Sequence, residues 1–137
     1  MKLYKPISLS LALAFAATGM LFLFAPHNVL ALFNSLSSWW GMSQTPETGF
    51  SLYLILAVGY MYLVTVLAFL MFRHPENRSF ALLLINAKVA SSVLSLAFFL
   101  LQAHYLIYLA NFVVDGLIGI VVLALYVSAR RVAWASS

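Results

Sequence analysis

Lys88 and Asp115 are the residues of this chain best placed to do chemistry, because each is the one charge inside a long apolar run. An ammonium or a carboxylate at membrane depth faces a bundle interior, a water pocket or a partner, and not lipid. Lys88, Ser91, Ser92 and Ser95 recur at i, i+3, i+4 and i+7, while Asn111, Asp115 and Gly119 recur at i, i+4 and i+8 with Gly116 beside them. On two helices these positions form facing stripes of small and polar residues, which let backbones approach and hydrogen-bond. An ion pair between Lys88 and Asp115 across that seam is the expectation. Two readings of it stay open. In one the pair fixes helix register and depth; in the other it is a proton or ion relay, or the polar end of a ligand pocket. Asn86 lies off the stripe and is expected to bond a different helix or another subunit.

Other constellations are weaker. Tyr60 and Tyr62, with Asn86, could line a pocket for an aromatic or quinone ligand, although tyrosines in membrane spans are commonly interfacial anchors. His27, His104 and Glu47 fall towards one side of the chain's spans, and a His/His/Glu set could hold a metal or haem. Their loop or terminal placement favours interfacial capping instead, and His74 reads as a solvated turn residue. No Gly-rich phosphate loop, nucleophile–base pair or HExxH motif is present, so a catalytic role is not expected and neither is a resident cofactor. The absence of cysteine removes disulfides, thiolate chemistry and Cys-type zinc sites.

The elements that must hold these residues follow from composition. Of 137 residues, 65% are hydrophobic and 7% charged, against roughly 45–50% and about 25% in soluble domains. Lipid is the solvent for most of such a chain. A span needs about 20 mostly apolar residues, and the sequence offers runs at about 7–25, 51–72, 79–101 and 105–127. The expected fold is an all-α antiparallel bundle of four transmembrane helices, one membrane domain over 1–137. The first run could be mistaken for a secretory signal, since Ala14-Phe15-Ala16 has the small-x-small form. The apolar stretch continues through Phe24, however, so an uncleaved helix is expected.

Depth arithmetic supports the pair. Lys88 lies about nine residues, roughly 14 Å, from one end of its span, and Asp115 about 12 residues, roughly 18 Å, from the same side in the next. A lysine side chain covers that difference of about 5 Å. A charge at a helix centre costs about 2.5–3.5 kcal/mol on the insertion scale, which the dozen or so large apolar residues of the third span offset.

The net charge of +4 is topological, not nucleic-acid binding, because the basic residues sit at run ends and form no patch interleaved with aromatics. Lys2, Lys5, Arg73, Arg78, Arg130 and Arg131 all fall on one side, which the positive-inside rule makes cytoplasmic for both termini. Trp39, Trp40, Phe50, Tyr53 and Tyr105 form the expected outer aromatic belt, and Tyr4, Phe80, Tyr126 and Trp134 the inner one. Between the first two runs, Val29, Leu30, Leu32, Phe33, Leu36, Trp39 and Trp40 recur at helical spacing. This predicts an interfacial helix over about 29–40, capped by Asn28 and ended by Gly41, and then a flexible turn through "MSQTPETG". The inner link 73–78 makes an antiparallel hairpin, with Pro75 and Glu76 suited to starting the third span.

The segment Gly19–Phe33, "GMLFLFAPHNVLALF", followed by a re-entry rich in Gly and Tyr, resembles the first half of DoxX-like small four-helix membrane proteins. The resemblance implies a four-helix fold and a connection to quinone or redox chemistry, and no functional residue carries over. The expected role is that of a non-enzymatic accessory or scaffold subunit in a bacterial plasma membrane, contacting lipid and other membrane proteins or itself. The alternatives are a binder or carrier of a small hydrophobic or protonatable ligand, and a redox-associated subunit with quinone or haem.

Overall fold

A computed structural model of the protein describes residues 3–46 and 50–135, with side-chain surroundings for 3–46 and 53–129. Lys2 and Glu47 lie outside the described residues, as do the side chains of Phe50, Arg130, Arg131 and Trp134. Five helices follow one another: α1 (Tyr4–Phe24), α2 (Pro26–Trp39), α3 (Phe50–Arg73), α4 (Ser79–Leu101) and α5 (Leu106–Ala135). All but α2 are long and apolar enough to cross a bilayer. The protein is a small multi-pass membrane protein with an all-α fold. Large apolar side chains such as Leu13, Phe24, Ile55, Val93, Leu100 and Ile120 point outward, which only a hydrocarbon surround makes stable.

The four spans form two close pairs. α1 packs along α3, and α4 along α5; α3 against α4 joins the pairs, and the side between α5 and α1 is the loosest. Small residues set the close approaches. A Cβ at Gly19 would come within 3.2 Å of Met61 Cβ, and one at Gly116 within 3.2 Å of Ser92 Oγ. The apolar core between the pairs includes Phe15, Val64, Ala68, Met71, Leu84 and Val122.

Local chemistry moves several boundaries. Pro26 begins α2 directly after Ala25, with no side-chain cap. The expected start near 29 and the Asn28 cap are therefore corrected: proline's fixed φ and missing N–H suit the first helical turn. The far end closes as expected of Gly41, which has φ +66°. Met42 N–H donates to Ser37 O at 2.9 Å and Gly41 N–H to Ser38 O at 3.4 Å, the pair of bonds of a Schellman turn. Residues 42–46 are not free coil: Asn34 Nδ2 donates to Thr45 O at 3.1 Å and Thr45 N–H donates to Asn34 Oδ1 at 2.8 Å. Ser43 also bridges to Tyr105, so α2 and its exit are fastened to the start of α5. The third span begins at Ser79, where the apolar run begins, and Pro75 and Glu76 lie in the turn before it. Asn77 N–H donates to His74 O at 3.0 Å, and Asn77 Oδ1 accepts from Ser79 N–H at 3.1 Å, so an Asx turn sets the start.

Candidate functional site

Lys88 Nζ donates to Asp115 Oδ1 at 2.7 Å, and both side chains are almost wholly buried. The contact exists because the α4–α5 hairpin brings two mid-span positions to one depth. A Cβ at Gly119 would lie 3.7 Å from Lys88 Cβ, and one at Gly116 would crowd Ser92 Oγ. Ser92 Oγ donates to Phe112 O at 2.9 Å across the same seam. Asn111 Nδ2 donates to Ser91 Oγ at 3.0 Å and Ser95 Oγ at 2.6 Å. All eight residues of the two stripes thus lie along the α4–α5 contact.

The ammonium has further companions from the other pair. Lys88 Nζ lies 4.5 Å from the centre of the Phe15 ring in α1 and 5.0 Å from that of Tyr60 in α3. Ring faces attract a cation most strongly when both are out of water. One lysine therefore touches all the other spans: a carboxylate from α5 and an aromatic face from each of α1 and α3. Tyr60 adds a link of its own, its hydroxyl donating to Ala87 O at 3.2 Å. Tyr60→Phe should therefore cost only about 0.6 kcal/mol, the average of an interhelical bond in a membrane. Tyr60→Leu, which also removes the ring from the ammonium, should cost about 2 kcal/mol more. Unfolding titrations of both variants in detergent micelles check the difference.

Phe15 carried no signal beyond its mid-span position, since one phenylalanine among 11 looks like any other lipid-facing residue. Tyr62 is exposed and lines a shallow groove with Gly19, Val58 and Met61. It turns away from Tyr60, so the two tyrosines do not share a pocket. Asn86 is exposed, and its Nδ2 donates to Leu82 O at 2.9 Å within its own helix. The expected bond from Asn86 to a different helix is thereby corrected: an amide one turn from a carbonyl satisfies itself locally.

The histidines are separate features. His104 packs edge-on against Phe99 with ring centres 5.0 Å apart, and His27 is exposed in the first turn of α2. Among the described residues no group of three or more His, Cys, Asp or Glu could hold a metal ion. His74 Nδ1 lies 3.3 Å from Glu76 Oε1 in the exposed turn.

A cleft of about 430 Å³ occupies the loose side between α1 and α5. Its walls are apolar, with Leu11, Phe22, Ala110 and Val114 among them, and Leu32 and Phe33 of α2 cover its end. Lys88 and Asp115 lie at its floor. One oxygen there is unsatisfied: Asp115 Oδ2 is enclosed and has no hydrogen-bond partner among the described residues. Native structures seldom leave a buried polar atom so, and each case calls for a reason. A cleft of this volume falls within the range of small-molecule sites, which are mostly apolar with a few convergent polar groups.

Models of known families, curated proteins and solved structures offer no match to this chain.

Proposed function

We propose that this small membrane protein binds a lipophilic molecule that enters the α1/α5 cleft from the bilayer. One observation carries the reading: the loosest side of the bundle opens a ligand-sized apolar cleft whose floor is a buried ion pair with an unsatisfied carboxylate oxygen. A pair that only fixed register would be expected to be sealed on all sides with every lone pair used. In this reading Lys88 and Asp115 form the polar end of the site, and α2 acts as its roof.

The basic residues Lys5, Arg73 and Arg78 gather at the end of the bundle opposite α2. The positive-inside rule then puts that end in the cytoplasm and the roof on the outer face, and a bacterial plasma membrane is the setting we infer. An accessory role beside other membrane proteins is compatible with ligand binding and draws support from a second groove of about 400 Å³. That groove lies on the α3/α4 side and presents Tyr60, Ser91, Ser95 and Tyr108.

The test is photolabelling of the reconstituted protein with a diazirine-bearing long-chain alcohol in phosphatidylcholine nanodiscs, read by peptide mass spectrometry. Label should concentrate on the facing sides of α1 and α5, and Ala110→Phe, which fills the cleft from its wall, should remove it. Even labelling of the outward faces of all the spans, unchanged in Ala110→Phe, would overturn the reading.

A further inference from the structure

The polar side chains that line the cleft are Thr18, Lys88, Asn111 and Asp115, and their hydrogen-bonding capacity is unevenly spent. Thr18 Oγ1 donates its hydrogen to Ala14 O at 2.9 Å. Asn111 Nδ2 donates to both Ser91 and Ser95. Lys88 donates to Asp115 Oδ1, and its charge is further met by the Phe15 and Tyr60 rings. The Asn111 amide hydrogens and one ammonium N–H are engaged in hydrogen bonds, and the rest of the ammonium has the Phe15 and Tyr60 ring faces beside it. The buried side-chain oxygen left without a hydrogen-bond partner among the described residues is Asp115 Oδ2, a strong acceptor.

We infer that the cleft takes a lipophilic molecule whose polar end is a neutral hydrogen-bond donor, such as an aliphatic alcohol, and favours it over heads that can only accept. This rests on the cleft being a binding site and says which class of ligand it holds.

A ligand hydroxyl brings the one thing the site lacks, an O–H directed at a carboxylate oxygen, and hydrogen bonds to charged acceptors are stronger than neutral ones. The oxygen is enclosed while Oδ1 holds the ammonium. The terminal torsion of an aspartate is broad, so a modest turn of the carboxylate presents Oδ2 to the cleft and leaves Oδ1 on the lysine. An ether or ketone of the same length leaves Asp115 Oδ2 without a donor, and it reaches an ammonium N–H only by displacing a ring face from Lys88. The enclosed carboxylate oxygen would then stay unpaired, which is the more costly side of a hydrogen-bond exchange. Charge selects further. Lys88 and Asp115 cancel, so a neutral head keeps the floor neutral. A ligand cation would add a second positive charge beside a buried ammonium, where like charges are poorly screened.

Competition against the photoreactive alcohol in nanodiscs tests this with three matched probes: hexadecanol, its methyl ether and hexadecylamine. Hexadecanol should compete about tenfold more strongly than the ether, the size of one charged hydrogen bond, and more strongly than the amine at neutral pH. Equal competition by alcohol and ether, with both lost in Ala110→Phe, would overturn the donor inference and leave the cleft as a binding site. A stronger amine would overturn the preference for a neutral head. Failure of all three probes to compete, together with unlocalised label, would overturn the cleft reading itself. The Lys88→Met/Asp115→Leu double variant supplies a second measurement. Alcohol and ether should compete equally in it, and a retained tenfold preference would show that Asp115 is not the acceptor.

Discussion

Asp115→Leu should destabilise the protein by about 3–5 kcal/mol, the cost of leaving a buried charge without its partner. Lys88 has less than a hundredth of its surface exposed and its nitrogen is held at the centre of the bundle, so it cannot reach water by a simple change of rotamer. The Phe15 and Tyr60 rings soften the loss, each offering a cation–π contact, but a ring face does not replace a carboxylate at 2.7 Å. Joining Lys88→Met to Asp115→Leu should recover most of the stability, because removing both ends of a buried pair eliminates the desolvation cost along with the attraction. The comparison is a double-mutant cycle read by reversible unfolding in micelles or by steric trapping. A double variant as unstable as the single one would mean that the pair's geometry, and not charge compensation, holds α4 against α5.

Gly116→Val should cost about 1–3 kcal/mol, the range for overpacking a tight contact, whereas Gly119→Ala should be tolerated. The two glycines stand one turn apart on the same face of α5, so sequence alone does not tell them apart. The structure does. A Cβ at Gly116 meets Ser92 Oγ at 3.2 Å, while a Cβ at Gly119 finds its nearest neighbours at 3.7 and 3.8 Å, ordinary van der Waals contact. Ser92 has little room to yield, because its hydroxyl is bonded to Phe112 O across the interface. A branched side chain at 116 must either break that bond or push the helices apart and strain the neighbouring ion pair. Melting curves of the two variants in the same detergent check the contrast, and equal stability would show that Ser92 moves aside freely.

The spans were legible in the sequence because lipid imposes one requirement, an unbroken apolar run of a fixed length, that no tertiary contact overrides. The depth of Lys88 and Asp115 was legible for the same reason, since rise per residue converts position into height. What lay beyond reach was which helix faces which. The pairing of α1 with α3 passes over α2, and the open side between α1 and α5 depends on packing among helices whose outward and inward faces are almost equally apolar. That is why Phe15 gave no signal and why Tyr60 and Tyr62, two residues apart, looked like one pocket. Asn34 is a different case. Its side chain spans 11 residues to hold Thr45, a contact no local pattern announces.

The order of synthesis gives the buried lysine one more consequence. Lys88 leaves the ribosome 27 residues before Asp115, so for that interval a nascent α4 carries an uncompensated ammonium. Among the described residues, the companions already made are the Phe15 and Tyr60 rings upstream. The apolar residues of α4 offset the cost of the charge and let the helix partition, and the step that settles the cation is the arrival of α5. α4 therefore crosses first with a cation that it carries without satisfying, and α5 brings the carboxylate that completes the pair.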